Sequence, residues 1–157
     1  MTTTVRAYEA GDAEATWDTF RHAVRDTAVR DYSPEQVAAW APDTVDLAAW
    51  NERRLRADTF VAVIDERVVG FSDVLPDGLL DMLFVHPDAG GRGVARALVD
   101  AVIGRARELG LRRLHTHASR TARPAFERFG FVVDRENPEN WIGGQNLPNY
   151  DLHLDLG

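Results

Sequence analysis

The chain contains no cysteine. Disulfides, thiolate metal centres and cysteine nucleophiles are therefore excluded, and so is an acyl-cysteine intermediate. Positive charge is not in excess either: Asp and Glu total 25 against 18 Lys and Arg, a net charge of −7. A nucleic-acid binder needs a basic face, so nucleic acid is not expected as a partner. The acidic surplus serves solubility and is also compatible with a cationic substrate. No apolar run approaches the roughly 18 residues of a membrane span. The segment Met1-Thr2-Thr3-Thr4-Val5-Arg6 lacks the apolar stretch of a signal peptide. No membrane partner and a cytoplasmic location are the expectation. Repeats, low-complexity stretches and linkers are also missing, so residues 1–157 are expected to form one domain. At that length a chain buries roughly 68–70% of its unfolded surface.

What is present reads as a sequence of periods. Residues 3–8 form a short candidate strand. Asp12 is placed to cap a helix whose apolar positions Trp17, Phe20, Val24 and Ala28 recur at spacings of three and four. Ser33-Pro34-Glu35-Gln36 opens a second helix, with Ser as N-cap, Pro at the first helical position and Gln three residues after the cap. It runs to about Trp40, Pro42 stops it, and a further helix is expected around 45–55. Residues 59–64, 68–75 and 79–85 read as three strands separated by the polar turns Asp65-Glu66-Arg67 and Pro76-Asp77-Gly78, an antiparallel meander. A long helix over about 93–109 carries the apolar face Ala95, Leu98, Val102, Ala106 and Leu109, with Gly110 where a C-cap glycine belongs. A strand over 111–118, a short helix over 122–129 and strands over 131–134 and 150–156 complete the chain. In the last, Leu152, Leu154 and Leu156 alternate with Asp151, His153 and Asp155. The expected fold class is α/β, with a mixed, mostly antiparallel central sheet and helices on both faces.

The informative stretch is Val85-His86-Pro87-Asp88-Ala89-Gly90-Gly91-Arg92-Gly93-Val94-Ala95-Arg96. A strand ends and a glycine-rich segment starts a long helix. The first amides of a helix lack internal partners and, with the helix dipole, favour an anion. Glycines let a phosphate approach the backbone, and Arg92 and Arg96 add positive charge. A P-loop requires Gly-Lys-Ser/Thr, and a dinucleotide fingerprint requires a third glycine where Arg96 stands; neither fits.

The same stretch resembles motif A of the GCN5-related N-acetyltransferases, the GNAT superfamily. Gly93 and Ala95 match its pattern, while Gly90 stands where Gln or Arg is usual. The segment Ser119-Arg120-Thr121-Ala122-Arg123-Pro124-Ala125-Phe126-Glu127-Arg128-Phe129-Gly130-Phe131 resembles the family's second motif, and the order of elements fits along nearly the whole chain. The resemblance implies a GNAT fold, acetyl-CoA as co-substrate, no metal, and a primary amine of a small molecule or peptide as acceptor. Dimers are common among such proteins, so a homodimer is a further expectation. By position, Gly91, Arg92, Gly93, Val94, Ala95 and Arg96 would hold the pyrophosphate. Leu83, Phe84 and Val85 would line the pantetheine arm, one of their amides serving as oxyanion donor, and Ser119 and Phe126 would complete the donor site.

Acyl transfer to an amine needs a base, because an amine with pKa near ~10.4 is protonated at neutral pH. Asp81 is the expected base: it lies on the 79–85 strand, sharing a face with Leu83 and Val85, where a carboxylate is costly unless paired or used. Pairing with an arginine is the competing reading, and Asp73 is the reserve candidate. For the acid, Phe126 stands where many members place Tyr, and Ser119 where they often have Asn. The thiolate then leaves unassisted, or Tyr32 or Tyr150 substitutes. An acyl-CoA-binding sensor with little transferase activity, or a plain nucleotide-binding regulatory domain, remain as alternatives. Trp17, Trp40, Trp50, Trp141 and Tyr32 are candidates for an aromatic acceptor pocket; Tyr32 and Trp40 suit it best and Trp17 reads as core. Asp31 beside Tyr32 either attracts a cationic acceptor or, the stronger reading, is a solvated loop carboxylate. His115 and His117 share a strand face, with no further ligand cluster in sight. Gly143-Gly144-Gln145-Asn146 reads as a flexible loop flanking the site.

Overall fold

In the computed structural model, which describes residues 2–157, the strands in chain order are β1 (Thr4–Ala7), β2 (Asp58–Ile64), β3 (Arg67–Val74), β4 (Leu79–Leu80), β5 (Leu83–Val85), β6 (Arg113–Ser119), β7 (Val132–Asn137), β8 (Trp141–Ile142), β9 (Gln145–Asn146) and β10 (Asn149–Asp155). The helices are α1 (Ala13–Asp26), α2 (Pro34–Trp40), α3 (Leu47–Arg56), α4 (Val94–Glu108) and α5 (Arg123–Arg128). Strands β1-β2-β3-β5 form an antiparallel set, and β4-β6-β10-β7 a second set in which only β4 and β6 run parallel.

The single strand expected over 79–85 is therefore two strands in two sets. The physical cause is Asp73 on β3. Its Oδ1 accepts the amides of both Asp81 and Met82 at 2.9 Å, and the neighbouring Ser72 hydroxyl donates to Met82 O at 2.8 Å. Amides bound to a side chain cannot continue a strand ladder. The chain bends there, leaving Leu79–Leu80 on β6 and Leu83–Val85 on β3.

Helices cover both faces. Val61 and Phe71 point into a core closed by α1, α2 and α3, while Ala62 and Gly70 point to α4. A Cβ on Gly70 would sit 3.0 Å from both Val94 and Leu98 and 3.1 Å from Phe84 O. This close approach fixes where α4 begins. The stripe that α4 buries is Val94, Leu98, Val99, Val102 and Ala106. Of the expected face, Ala95 is only half-buried and Leu109 is 41% exposed. The helix straddles both strand sets, so its apolar stripe is wider and starts earlier than one periodic row suggests.

Two local expectations changed. Asp12 does occupy the N-cap position of α1, but its side chain caps nothing there. It binds Arg6 at 2.8 and 3.0 Å and accepts the Glu9 amide, and the Arg6 hydrogen bond holds its carboxyl below the usual range. The segment 143–146, expected as a flexible loop, belongs to a hairpin: β8 and β9 pair across Gly143-Gly144, both at positive φ. Gln36 Nε2 donates to Asn146 O at 2.6 Å and ties the hairpin to α2. The α2 start is as the sequence indicates, with Ser33 and Gln36 forming a reciprocal capping box. No helix among the described residues is long and apolar enough to cross a membrane.

Candidate active site

Beyond Leu80 the parallel partners separate. β6 continues along β10, while the chain of β4 bends away into β5. The gap is a cleft of about 500 Å³, within the range of small-molecule sites. One lip is Asp81, Met82, Leu83 and Phe84; the other is Thr116, His117, Ala118 and Ser119. It opens at the carboxyl ends of the strands, where open α/β sheets hold their ligands.

One side of the cleft and the helix start beyond it present backbone. His86 N–H donates to Val69 O at 2.7 Å. Antiparallel alternation then turns the Phe84 amide toward β3 and the amides of Leu83 and Val85 toward the cleft. Past the strand, Gly90 N–H still finds Pro87 O, but the next amide to find an acceptor is Ala97, bound to Gly93 O at 3.0 Å. The amides of Gly91, Arg92, Gly93, Val94, Ala95 and Arg96 thus all lack a partner among the described residues. Gly91 and Gly93 have φ of +76° and +74°, and a Cβ on either would meet nothing within 4 Å. These residues form an open, donor-lined cradle at a helix N-terminus, which suits a diphosphate. The two arginines contribute differently. Arg92 is exposed, whereas Arg96 turns along the helix to Asp100 and Phe129. Val94 contributes only its amide, because its side chain is core.

The corner between β6 and α5 is closed by side chains. Ser119 Oγ accepts the Ala122 amide at 3.1 Å. The Tyr32 hydroxyl accepts the Arg120 amide at 3.0 Å and donates to Pro148 O at 2.6 Å. Tyr32 is 5% exposed, and burial raises its phenol pKa. Phe126 lines the cleft floor and packs edge-on against Phe131 at 5.1 Å. Tyr150, the other substitute acid considered, does not line the cleft; Arg123 covers its ring.

Two carboxylates and one guanidinium sit at the strand break. Asp81 is exposed and lines the cleft, not half-buried on a strand as its neighbours suggested. Asp73 is 1% exposed, and burial pushes its carboxyl up to about 6. That value suits a base, but Asp73 does not line the cleft; its Oδ1 is used on the backbone and its Oδ2 is sealed. It holds the break open and cannot reach an acceptor. Arg54, which the sequence did not single out, is 2% exposed beside both, and burial lowers its pKa.

The opposite wall is aromatic. Trp17, Phe20, Trp40, Trp50 and Phe84 line the cleft with successive ring centroids 4.9–6.4 Å apart. Trp17, expected as core, is half-buried and belongs to this wall. Tyr32 and Trp40 line the cleft as expected. Trp141 does not: it is 64% exposed on the hairpin. Asp31 is also outside, its carboxylate accepting the Thr121 hydroxyl at 2.8 Å. Of the histidine pair, His117 faces Asp151 at 2.6 Å. Among the described residues Asp18, His22 and His86 bring ligand-type atoms within 4.8 Å of one another, away from the cleft lining. The Asp88 amide donates to His86 Nδ1, which assigns that ring's proton to Nε2.

Comparison with known proteins agrees with this geometry. Residues 28–146 match the acetyltransferase (GNAT) domain family. The uncharacterized N-acetyltransferase YafP of Escherichia coli (strain K12) is 39% identical over 132 residues, covering 84% of this chain and 83% of that protein. A GCN5-related N-acetyltransferase structure from Rhodopseudomonas palustris is 33% identical and superposes with a TM-score of 0.93 over 99% of this chain and 96% of that one. YncA of Salmonella typhimurium, solved with its cofactor acetyl-CoA, shares the fold at 21% identity, with a TM-score of 0.74 over 100% and 95% of the two chains. A cleft between parted parallel strands, a helix-start cradle of free amides and these matches have one explanation: the chain is an N-acetyltransferase of the GCN5-related (GNAT) superfamily.

Proposed function

We propose that this chain transfers an acetyl group from acetyl-CoA to a primary amine of a small molecule or peptide by direct attack in a ternary complex. The observation that carries the reading is the run of six partnerless amides over 91–96, opening beside a parted pair of strands. The cradle fits the pyrophosphate, and the free edge of β5 fits the amides of the pantetheine arm. With no cysteine in the chain, nothing supports an acyl-cysteine.

Asp81 takes a proton from the acceptor ammonium, and the free amine attacks the thioester carbonyl. Negative charge developing on the carbonyl oxygen falls to the Leu83 amide, a type of contact typically worth about 3 kcal/mol of barrier. Collapse forms the amide and expels the thiolate. Phe126 has no proton to give, and the Tyr32 proton is held on Pro148 O. The thiolate therefore departs with the proton shed by the nitrogen that attacked. Phe126, apolar and 3% exposed, is also what favours the rival reading of a coenzyme A binder with little turnover.

An amine panel assayed for thiol release from acetyl-CoA separates the two readings. Turnover above background supports transfer; tight coenzyme A binding without turnover supports the rival. Asp81→Asn should lose roughly 10²–10⁴ of the rate at neutral pH and recover toward high pH, where the amine deprotonates unaided. A variant within threefold of the parent at every pH removes Asp81 from the role.

A further inference from the structure

Arg54 is out of balance with its surroundings. It is 2% exposed, yet no carboxylate among the described residues lies within 4.0 Å of its nitrogens. Its guanidinium lies 4.3 Å over the Trp50 ring, Nη1 reaches only the Met82 sulfur at 2.9 Å, and Nε is sealed without an acceptor. Nη2 makes no hydrogen bond to another described residue and is not sealed as Nε is. Asp73 and Asp81 act on the guanidinium only from beyond ion-pair distance, so its burial remains costly for want of a direct anionic contact. Stacking on Trp50 offsets part of that cost. The other guanidiniums that find carboxylates do so at the surface; this one faces the cleft, and the exposed Arg53 lines the same wall, also without an ion pair.

Resting on the transferase reading of this cleft, we propose that the acceptor is a free amino acid with an apolar or aromatic side chain, whose carboxylate is bound by Arg54 with Arg53. The amine of such a molecule faces Asp81 on the strand break. Its side chain lies along Trp17, Phe20 and Trp40. Its carboxylate supplies the direct anionic contact that Asp73 and Asp81, lying beyond ion-pair distance, do not make, in a setting where a charge-assisted contact is strong. The same arginines disfavour polyamines and multiply cationic amines. A second ammonium in the cleft would meet like charge at close range, where a partly buried site screens it poorly. The cleft, about 500 Å³ and shared with the thioester end, has room for an amino acid and not for a folded protein surface.

The test uses the full-length protein saturated with coenzyme A and calorimetric titration of matched probes. L-phenylalanine and L-leucine are compared with phenethylamine and isopentylamine, which keep the body and the amine but lack the carboxylate; spermidine is the polycation. At least one amino acid should bind tenfold or more tightly than its decarboxylated counterpart and than spermidine. Arg54→Lys should shrink that ratio by about tenfold. Arg53→Gln, at an exposed position, gives the same readout if Arg54→Lys does not fold. Equal or tighter binding of the decarboxylated amines or of spermidine overturns the assignment, as does absence of binding by every amino acid. Thiol release in parallel keeps the two readings apart. Equal turnover of amines lacking a carboxylate sinks this inference and leaves the transferase intact. A carboxylate-dependent binding ratio without any turnover does the reverse.

Discussion

Two strand-to-helix corners lie at the same end of the molecule, and they treat their backbone in opposite ways. At β5 into α4, six amides in a row are left open. At β6 into α5, side chains take two of the amides: Ser119 holds that of Ala122 and Tyr32 that of Arg120, while Asp31 takes the Thr121 hydroxyl. Glycine at the first corner supplies positive φ and offers no side chain to fold back as an acceptor. Serine at the second supplies an acceptor. The strand break follows the second pattern, with Asp73 occupying the amides of Asp81 and Met82. A helix N-terminus becomes an anion site only where the chain's own acceptors stay away.

The largest expected effect comes from Asp73. Its folded-state carboxyl, near 6, lies above the usual 3.8. Between those values the folded protein keeps a proton that the unfolded chain releases. Asp73's own contribution is full below about pH 4, falls as pH rises, and is lower by about 3 kcal/mol once pH passes about 6. Asp73→Asn keeps an acceptor for both amides and removes the charge. Urea unfolding across pH 4–8 should show the parent losing stability relative to the variant across this window, with the variant above the parent at pH 7. A parent curve without that fall contradicts a sealed, side-chain-held break. Next is Gly93→Val, which forces a β-branched residue to φ +74° in the open corner. Strain of about 2 kcal/mol should weaken coenzyme A binding on the order of 30-fold by calorimetry. Unchanged affinity would mean that the cradle does not hold the diphosphate. The smallest effect belongs to the closed corner. Tyr32→Phe unpairs the Arg120 amide and should cost about 1–2 kcal/mol in urea unfolding. An unaltered midpoint would show that water replaces the hydroxyl there, making that corner as open as the first.

The signals that were legible are local. Ser33 and Gln36 cap α2 across three residues, and the glycines over 90–93 mark the helix start wherever it packs. The acceptor side was read less well. Asp81 read as a strand residue because 79–85 carries a continuous apolar pattern, and nothing local reports that Asp73 will take two of its amides. Trp17 has a core periodicity and yet faces a cavity. Asp31 neighbours Tyr32 in sequence and turns to Thr121 in space. Arg54 gave no signal at all, since a surface arginine and a sealed one look alike in a helix.

The sequence by itself determined the order of the main helices and longer strands, the capping of α2, the alternation of β10 and the glycine-rich start of α4. These follow from torsions, caps and periodicities that act within a few residues. Tertiary structure alone decided which amides stay open, which carboxylate reaches the cleft and which arginine is left without a partner. The deciding acceptors come from far along the chain: the hydroxyl that closes the second corner stands 88 residues from the amide it binds. Burial, which sets the cost of every unpaired charge, belongs to the packed molecule and to no single segment.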